Sequence, residues 1–268
     1  MSNSTSNSFK HRLLALHAAC VYLFLYGPIL VLVVFSFNRS KSVSTWEGFS
    51  LHWYAVLWND EVMQECVRNS LIAGAVATSI ATLIGTLAAL SMSHKDFRKT
   101  SATAALLYLP IIIPEIVIGA ALLTFFSITH WHLSLLTIVI AHVAFSISYV
   151  AIVVRARLAG FDPSLEEAAM DLGAGRGGTF FRVKLPLMLP GVLAGALLVF
   201  TLSIDDYVIT SFVAGPQSTT LPLLIASKLH VKSDLPVVNA AATVLLAVTI
   251  MLILVAQWLL SEKKGNIG

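Results

Sequence analysis

The stretch SLEEAAMDLGAGRGGTFFRVKLP, Ser164 to Pro186, carries Glu166, Glu167, Asp171, Arg176, Arg182 and Lys184 around a cluster of glycines. It interrupts a chain of 268 residues that is 57% hydrophobic and only 12% charged. Its first half has the punctuation of a short helix. Asp162-Pro163 can open one, because proline at the first helical position lacks only an N–H that the helix leaves unpaired there. Ser164 with Glu167 offers a capping box as an alternative start. Gly173 is placed to close the helix in a left-handed turn, which glycine enters without a Cβ penalty. The flanking sequence decides where such a polar helix lies.

A soluble domain carries about a quarter of its residues as charges, so this composition reads as a polytopic membrane protein. A helix crosses the hydrocarbon core with about 20 apolar residues. Six segments qualify, at about 13–37, 70–92, 102–126, 133–154, 188–212 and 238–260. The first is longer than a signal-peptide core of about 7–15 residues and lacks a small-x-small cleavage site, so it reads as an uncleaved span. Six spans put both termini on one side. With that side inside the cell, the inner segments hold twelve of the seventeen Lys and Arg and the outer segments five. The positive-inside rule then makes both termini, and the Ser164–Pro186 stretch, cytoplasmic.

This gives an all-α transmembrane bundle: a tail at 1–12, a six-span domain at 13–260 with a cytoplasmic loop at about 157–187, and a tail at 261–268. Cys20 and Cys66 read as packing thiols. In the outer loop, Trp53, Leu57 and Trp58 share a helical face suited to the membrane–water boundary, while Trp46 stands apart from that face. Ala73, Ala77, Ala81, Gly85 and Ala89 recur every four residues in the second span, and Gly191 and Gly195 do so in the fifth. Such stripes let another helix approach closely, within the bundle or from a partner.

Three acidic residues fall within spans. Glu115 lies beside Pro110 and Pro114, which should bend or break the third span. Asp205 and Asp206 lie in the outer part of the fifth. A carboxylate at mid-bilayer costs about 2.5–3.5 kcal/mol and faces protein or a water-filled path. Adjacent residues on a regular helix point about 100° apart. Either the helix is distorted at the two aspartates, or one of them is structural. His142, inside the fourth span, reads as a buried hydrogen-bonding residue. The chain shows no nucleotide-binding Gly loop, no metal-ligand spacing and no nucleophile–base set. It therefore reads as neither an enzyme nor a nucleic-acid binder.

Glu167-Ala168-Ala169, three residues, Gly173, nine residues, Val183, one residue and Leu185-Pro186 together resemble the EAA loop of ABC-importer permeases, with Val183 where isoleucine is usual. The resemblance extends to SFNRSKSVSTWEGFSLHWYAVL, RNSLIAG and FTLSIDDYVITSFVAGPQSTTLPLLI, which look like the spermidine/putrescine branch. It implies a type I importer permease in a bacterial inner membrane, moving polyamines inward with no cofactor of its own. It also implies a second related permease, a dimer of ATPases using ATP and Mg, and an external binding protein as partners. In that family the EAA loop docks on the ATPase, which assigns Glu167, Ala168, Ala169, Gly173, Val183, Leu185 and Pro186 to coupling. Trp46, Glu115, Asp205 and Asp206 become candidates for the cation path, consistent with the attraction of polycations to carboxylates and aromatic faces. Another small cationic or organic solute is the alternative cargo. A proton-coupled secondary transporter or a passive channel would explain the acidic residues but leave the EAA stretch without a purpose. The Gly-rich GAGRGG centre suggests that the second half of the loop is soft.

Overall fold

The computed structural model describes residues 3–42, 45–93, 101–229 and 235–261. Lys95, Arg98, Lys99, Lys232, Lys263 and Lys264 from the charge count, and nearly all of the C-terminal tail, lie outside them. The described residues are almost wholly helical. In chain order the helices are α1 (Asn3–Ser36), α2 (His52–Asn59), α3 (Glu61–Ser93), α4 (Ser101–Ile112), α5 (Glu115–Ile128), α6 (Leu135–Ala159), α7 (Ser164–Asp171) and α8 (Arg176–Thr179). A π-helical turn, Phe180–Lys184, then leads into α9 (Leu185–Asp205), α10 (Val208–Val213), α11 (Leu221–Lys228) and α12 (Leu235–Ser261). Among the described residues five helices are long and apolar enough to cross a membrane: His11–Ser36, Glu61–Met92, Leu135–Ala159, Arg176–Asp205 and Leu235–Trp258. The third expected span is not among them, because it is broken. α4 ends at Ile112 and α5 begins at Glu115, with Pro114 extended at φ −55°, ψ 137°. Pro114 offers no N–H, and its ring drives the preceding residue out of the helical region.

The chain divides into two compact units, residues 1–60 with 227–246 and residues 61–226 with 247–268. In the second unit α3, α6 and α9 pack together. The small-residue stripe of α3 is what permits this: Ala73, Ala77, Ala81 and Ala89 are buried, and a Cβ on Gly85 would lie 2.7 Å from that of Val150. Gly191 meets the stem of Arg157 in the same way, and Gly195 lies against the Val150 backbone. These stripes are occupied within the chain. With lipid as the competing solvent, close van der Waals packing of this kind drives helix association. A second cluster forms where Phe126, Ile138, Phe145, Ile209 and Val213 meet.

The first unit contains a knot around Asn38. Its amide donates to the carbonyls of Thr45 and Ser42 and accepts from the N–H groups of Ser40 and Glu47. Trp53 Nε1 donates to the Asn38 carbonyl at 2.9 Å. Trp53 is therefore buried as an anchor, whereas Trp58 on the same helix is 81% exposed. The expected common face of Trp53, Leu57 and Trp58 is split between core and surface. Cys20 and Cys66 are not joined in a disulfide, and Cys66 lies buried inside α3.

Candidate functional site

The polar stretch folds as a capped helix followed by a turn and a second, continuous helix. Asp162 accepts the Ser164 N–H at 2.9 Å, which realises the Asp-Pro start and not the Ser164–Glu167 box. That backbone bond holds the Asp162 carboxyl below the usual carboxylate range. At the other end Gly173 has φ +88°, and its N–H donates to the Met170 carbonyl at 2.9 Å while Ala174 N–H reaches Ala169. Glu167 and Ala168 are exposed on α7, together with Leu165, Met170 and the 90% exposed Leu172. Val183 and Leu185 are half-buried, and Leu185 packs against the core of α3, α6 and α9.

The glycine cluster does not form a loose loop. Only Gly173 has positive φ, Gly175 caps α8 with φ −70°, and Gly177 and Gly178 lie inside a helix that runs on to Asp205. The π turn ends at Lys184, two residues before Pro186, whose ring in a regular helix would meet the Arg182 carbonyl. Two contacts that sequence reading missed fasten the segment. Lys184 Nζ pairs with Glu166 at 2.9 Å, and Arg157 Nε donates to the Leu187 carbonyl at 3.1 Å. No spacing rule signals either pair, since the partners lie on different elements.

Asp205 and Asp206 are neighbours with different surroundings. α9 ends at Asp205, Asp206 is extended at φ −66°, ψ 121°, and α10 restarts at Val208. Asp205 is exposed and accepts from Thr249 Oγ1 on α12 at 2.9 and 3.0 Å. Asp206 turns inward, with its side chain only 6% exposed. It accepts from the N–H groups of Ile209 and Thr210, from Thr210 Oγ1 at 2.6 Å and from His142 Nε2 at 3.3 Å. His142 is fully buried and its Nδ1 meets Ser203 Oγ at 2.5 Å. The helix is thus distorted and one aspartate is internally satisfied. The distortion that the sequence raised as one alternative is present at this pair. Ser203, His142 and Asp206 include the residue types of a hydrolytic triad, but with His142 and Ser203 buried no substrate reaches them.

Glu115 opens α5, where a negative charge complements the helix N-terminus. Its carboxylate has no hydrogen-bond or ion-pair partner among the described residues. α5 packs on α10, with Gly119 against Phe212, so the short helices that follow the two breaks lie together. Trp46 belongs to the other unit, half exposed and edge-on to Phe35 at 6.2 Å. Among the described residues no group of three His, Cys, Asp or Glu could hold a metal ion.

The chain is 41% identical over 248 residues to the putrescine transport system permease protein PotI of Escherichia coli K12, covering 90% of this chain and 88% of that protein. It is 37% identical over 249 residues to the spermidine/putrescine transport system permease protein PotC of the same strain, covering 92% and 94%. These relatives are transport permeases, not enzymes. In fold it resembles a bacterial ABC transporter that imports the acidic polysaccharide alginate, with a TM-score of 0.74 at 17% identity over 94% of this chain and 95% of that one. Residues 69–261, which hold the polar stretch and both helix breaks, match the binding-protein-dependent transport system inner membrane component. The chain belongs to that family and is a multi-pass membrane permease of an ABC importer.

Proposed function

We propose that this permease carries polyamines, putrescine or spermidine, inward across a bacterial inner membrane. Its partners are a second homologous permease, a dimer of ATPases that hydrolyse ATP with Mg, and an external polyamine-binding protein. The chain crosses the membrane six times, with α4 and α5 forming the broken third span, and both termini are cytoplasmic. α7 and the turn at Gly173 dock on the ATPase, with Glu167, Ala168 and Ala169 at the contact and Val183, Leu185 and Pro186 anchoring it to α9.

The observation that carries the substrate class is Asp205, an exposed carboxylate at the end of a membrane-spanning helix, whose partner among the described residues is one hydroxyl. An ionised group at that depth needs a cation or water, and an alkylammonium supplies the first. Glu115 and Trp46 extend the same chemistry, one by charge and one by its ring face. Asp206, already furnished with four donors, contributes by shaping the helix break. The permease names of the relatives support putrescine and spermidine over other small cations. The test is uptake of labelled putrescine and spermidine by the complete transporter in proteoliposomes. Uptake should require ATP and the binding protein, and should fall about tenfold or more in Asp205→Asn, the scale of one charge-assisted hydrogen bond. Uptake driven by a proton gradient without ATP would refute the ATP-driven reading. Wild-type uptake by Asp205→Asn would remove that residue from the path.

A further inference from the structure

We infer that His142 is a positioning residue for transport: through its Nε2–H it holds Asp206 in the break between α9 and α10, and the break aims Asp205 at the cargo. The inference rests on the reading of Asp205 as a contact for the transported cation. Four donors converge on Asp206, the pattern of a carboxylate with nothing left to offer a ligand. Three of them come from the first turn of α10 itself, where Asp206 acts as the N-terminal cap. Those three bonds can form wherever α10 happens to lie. His142 is different, because it projects from α6, a separate helix packed against α9 and α10. It alone ties the carboxylate to the body of the bundle.

In the tautomer that directs Nε2–H at the carboxylate, Nδ1 is the acceptor for the Ser203 hydroxyl, 2.5 Å away. Ser203 lies in the last turn of α9 and Thr210, 3.0 Å from Nε2, lies in α10. One imidazole therefore spans both sides of the break. Without the break, residues 205 and 206 would continue a regular helix, and Asp205 would lose the orientation that brings it to Thr249.

Glutamine places its amide donor where Nε2 is, whereas asparagine places it where Nδ1 is. His142→Gln should therefore keep the bond to Asp206, and His142→Asn should keep only the bond to Ser203. The experiment measures putrescine uptake per ATP hydrolysed by the complete transporter with saturating loaded binding protein, with Asp205→Asn as reference. In His142→Asn the ratio should fall about tenfold, as for a lost charge-assisted bond, with ATP hydrolysis retained. His142→Gln should stay within about twofold of wild type on the same scale. A general loss of packing would lower both activities and would not distinguish the two amides. A second arm does not depend on cargo: thermal unfolding of the purified transporter carrying His142→Asn, Asp206→Ala or both. The losses should be less than additive, since each variant breaks the same bond. If Asp205→Asn transports normally, the path reading fails, and the thermal cycle still decides whether His142 holds Asp206. Equal uptake ratios for the Gln and Asn variants beside a defective Asp205→Asn, or additive thermal losses, would overturn the inference.

Discussion

The conformations of the glycines in the polar stretch make separable predictions for neighbouring positions. Gly173 has φ +88° and no atom within 4 Å of where a Cβ would stand. Gly173→Ala therefore meets no steric neighbour and pays only for placing an L-residue in the left-handed region, about 1–2 kcal/mol. That lowers the population of the native turn by a factor of roughly 5–30. Gly173→Asn should cost less, because asparagine enters this region more readily. Gly177 and Gly178 are helical, the first with open space and the second 3.9 Å from the Ala174 Cβ. Alanine there should stabilise the helix by about 0.5–1 kcal/mol each. The assay is the ratio of uptake to ATP hydrolysis in proteoliposomes, alongside thermal unfolding. Gly173→Ala should lose coupling while ATP hydrolysis persists, and Gly177→Ala and Gly178→Ala should match or exceed wild-type thermal stability and transport normally. Equal damage at Gly173 and Gly177 would refute the conformational argument. It would mean that the ATPase surface approaches both glycines too closely for any side chain.

The Glu166–Lys184 pair joins α7 to the π turn with side chains 29% and 15% exposed, so Lys184→Ala should cost about 0.2–1 kcal/mol of thermal stability. The exchange Glu166→Lys with Lys184→Glu should restore most of it, and a double variant no better than the single ones would show that charge pairing is not the link. Gly215 lies so close to the Leu133 carbonyl that an added Cβ would overlap it. Because the obstacle is backbone, Gly215→Ala should cost at least about 1–3 kcal/mol and lower the yield of folded protein; an unchanged melting temperature would contradict that packing.

Much of the fold was legible because it is written in relations between residues a few positions apart. Runs of about 20 apolar side chains mark spanning helices, Pro110 and Pro114 announced the break in the third span, and Asp162, Pro163 and Gly173 delimited α7. The small-residue stripe of α3 was equally plain as a pattern, but whether its occupant was this chain or another depended on α6 and α9. Chain-local chemistry also told that Asp205 and Asp206 could not face one direction from a regular helix. It could not assign their roles, because Thr249 lies 44 residues from Asp205 and His142 lies 64 from Asp206. Trp53 and Trp58 differ for the same reason: Asn38, in the loop before α2, claims one indole and leaves the other exposed. The limits of α7 and the break in the third span could be read from the chain alone, since hydrogen bonds between residues four apart and the shapes of proline and glycine decide them. Which carboxylate is enclosed and which stays exposed follows from tertiary contacts alone, where helices distant in the chain bring a histidine to one and a single hydroxyl to the other.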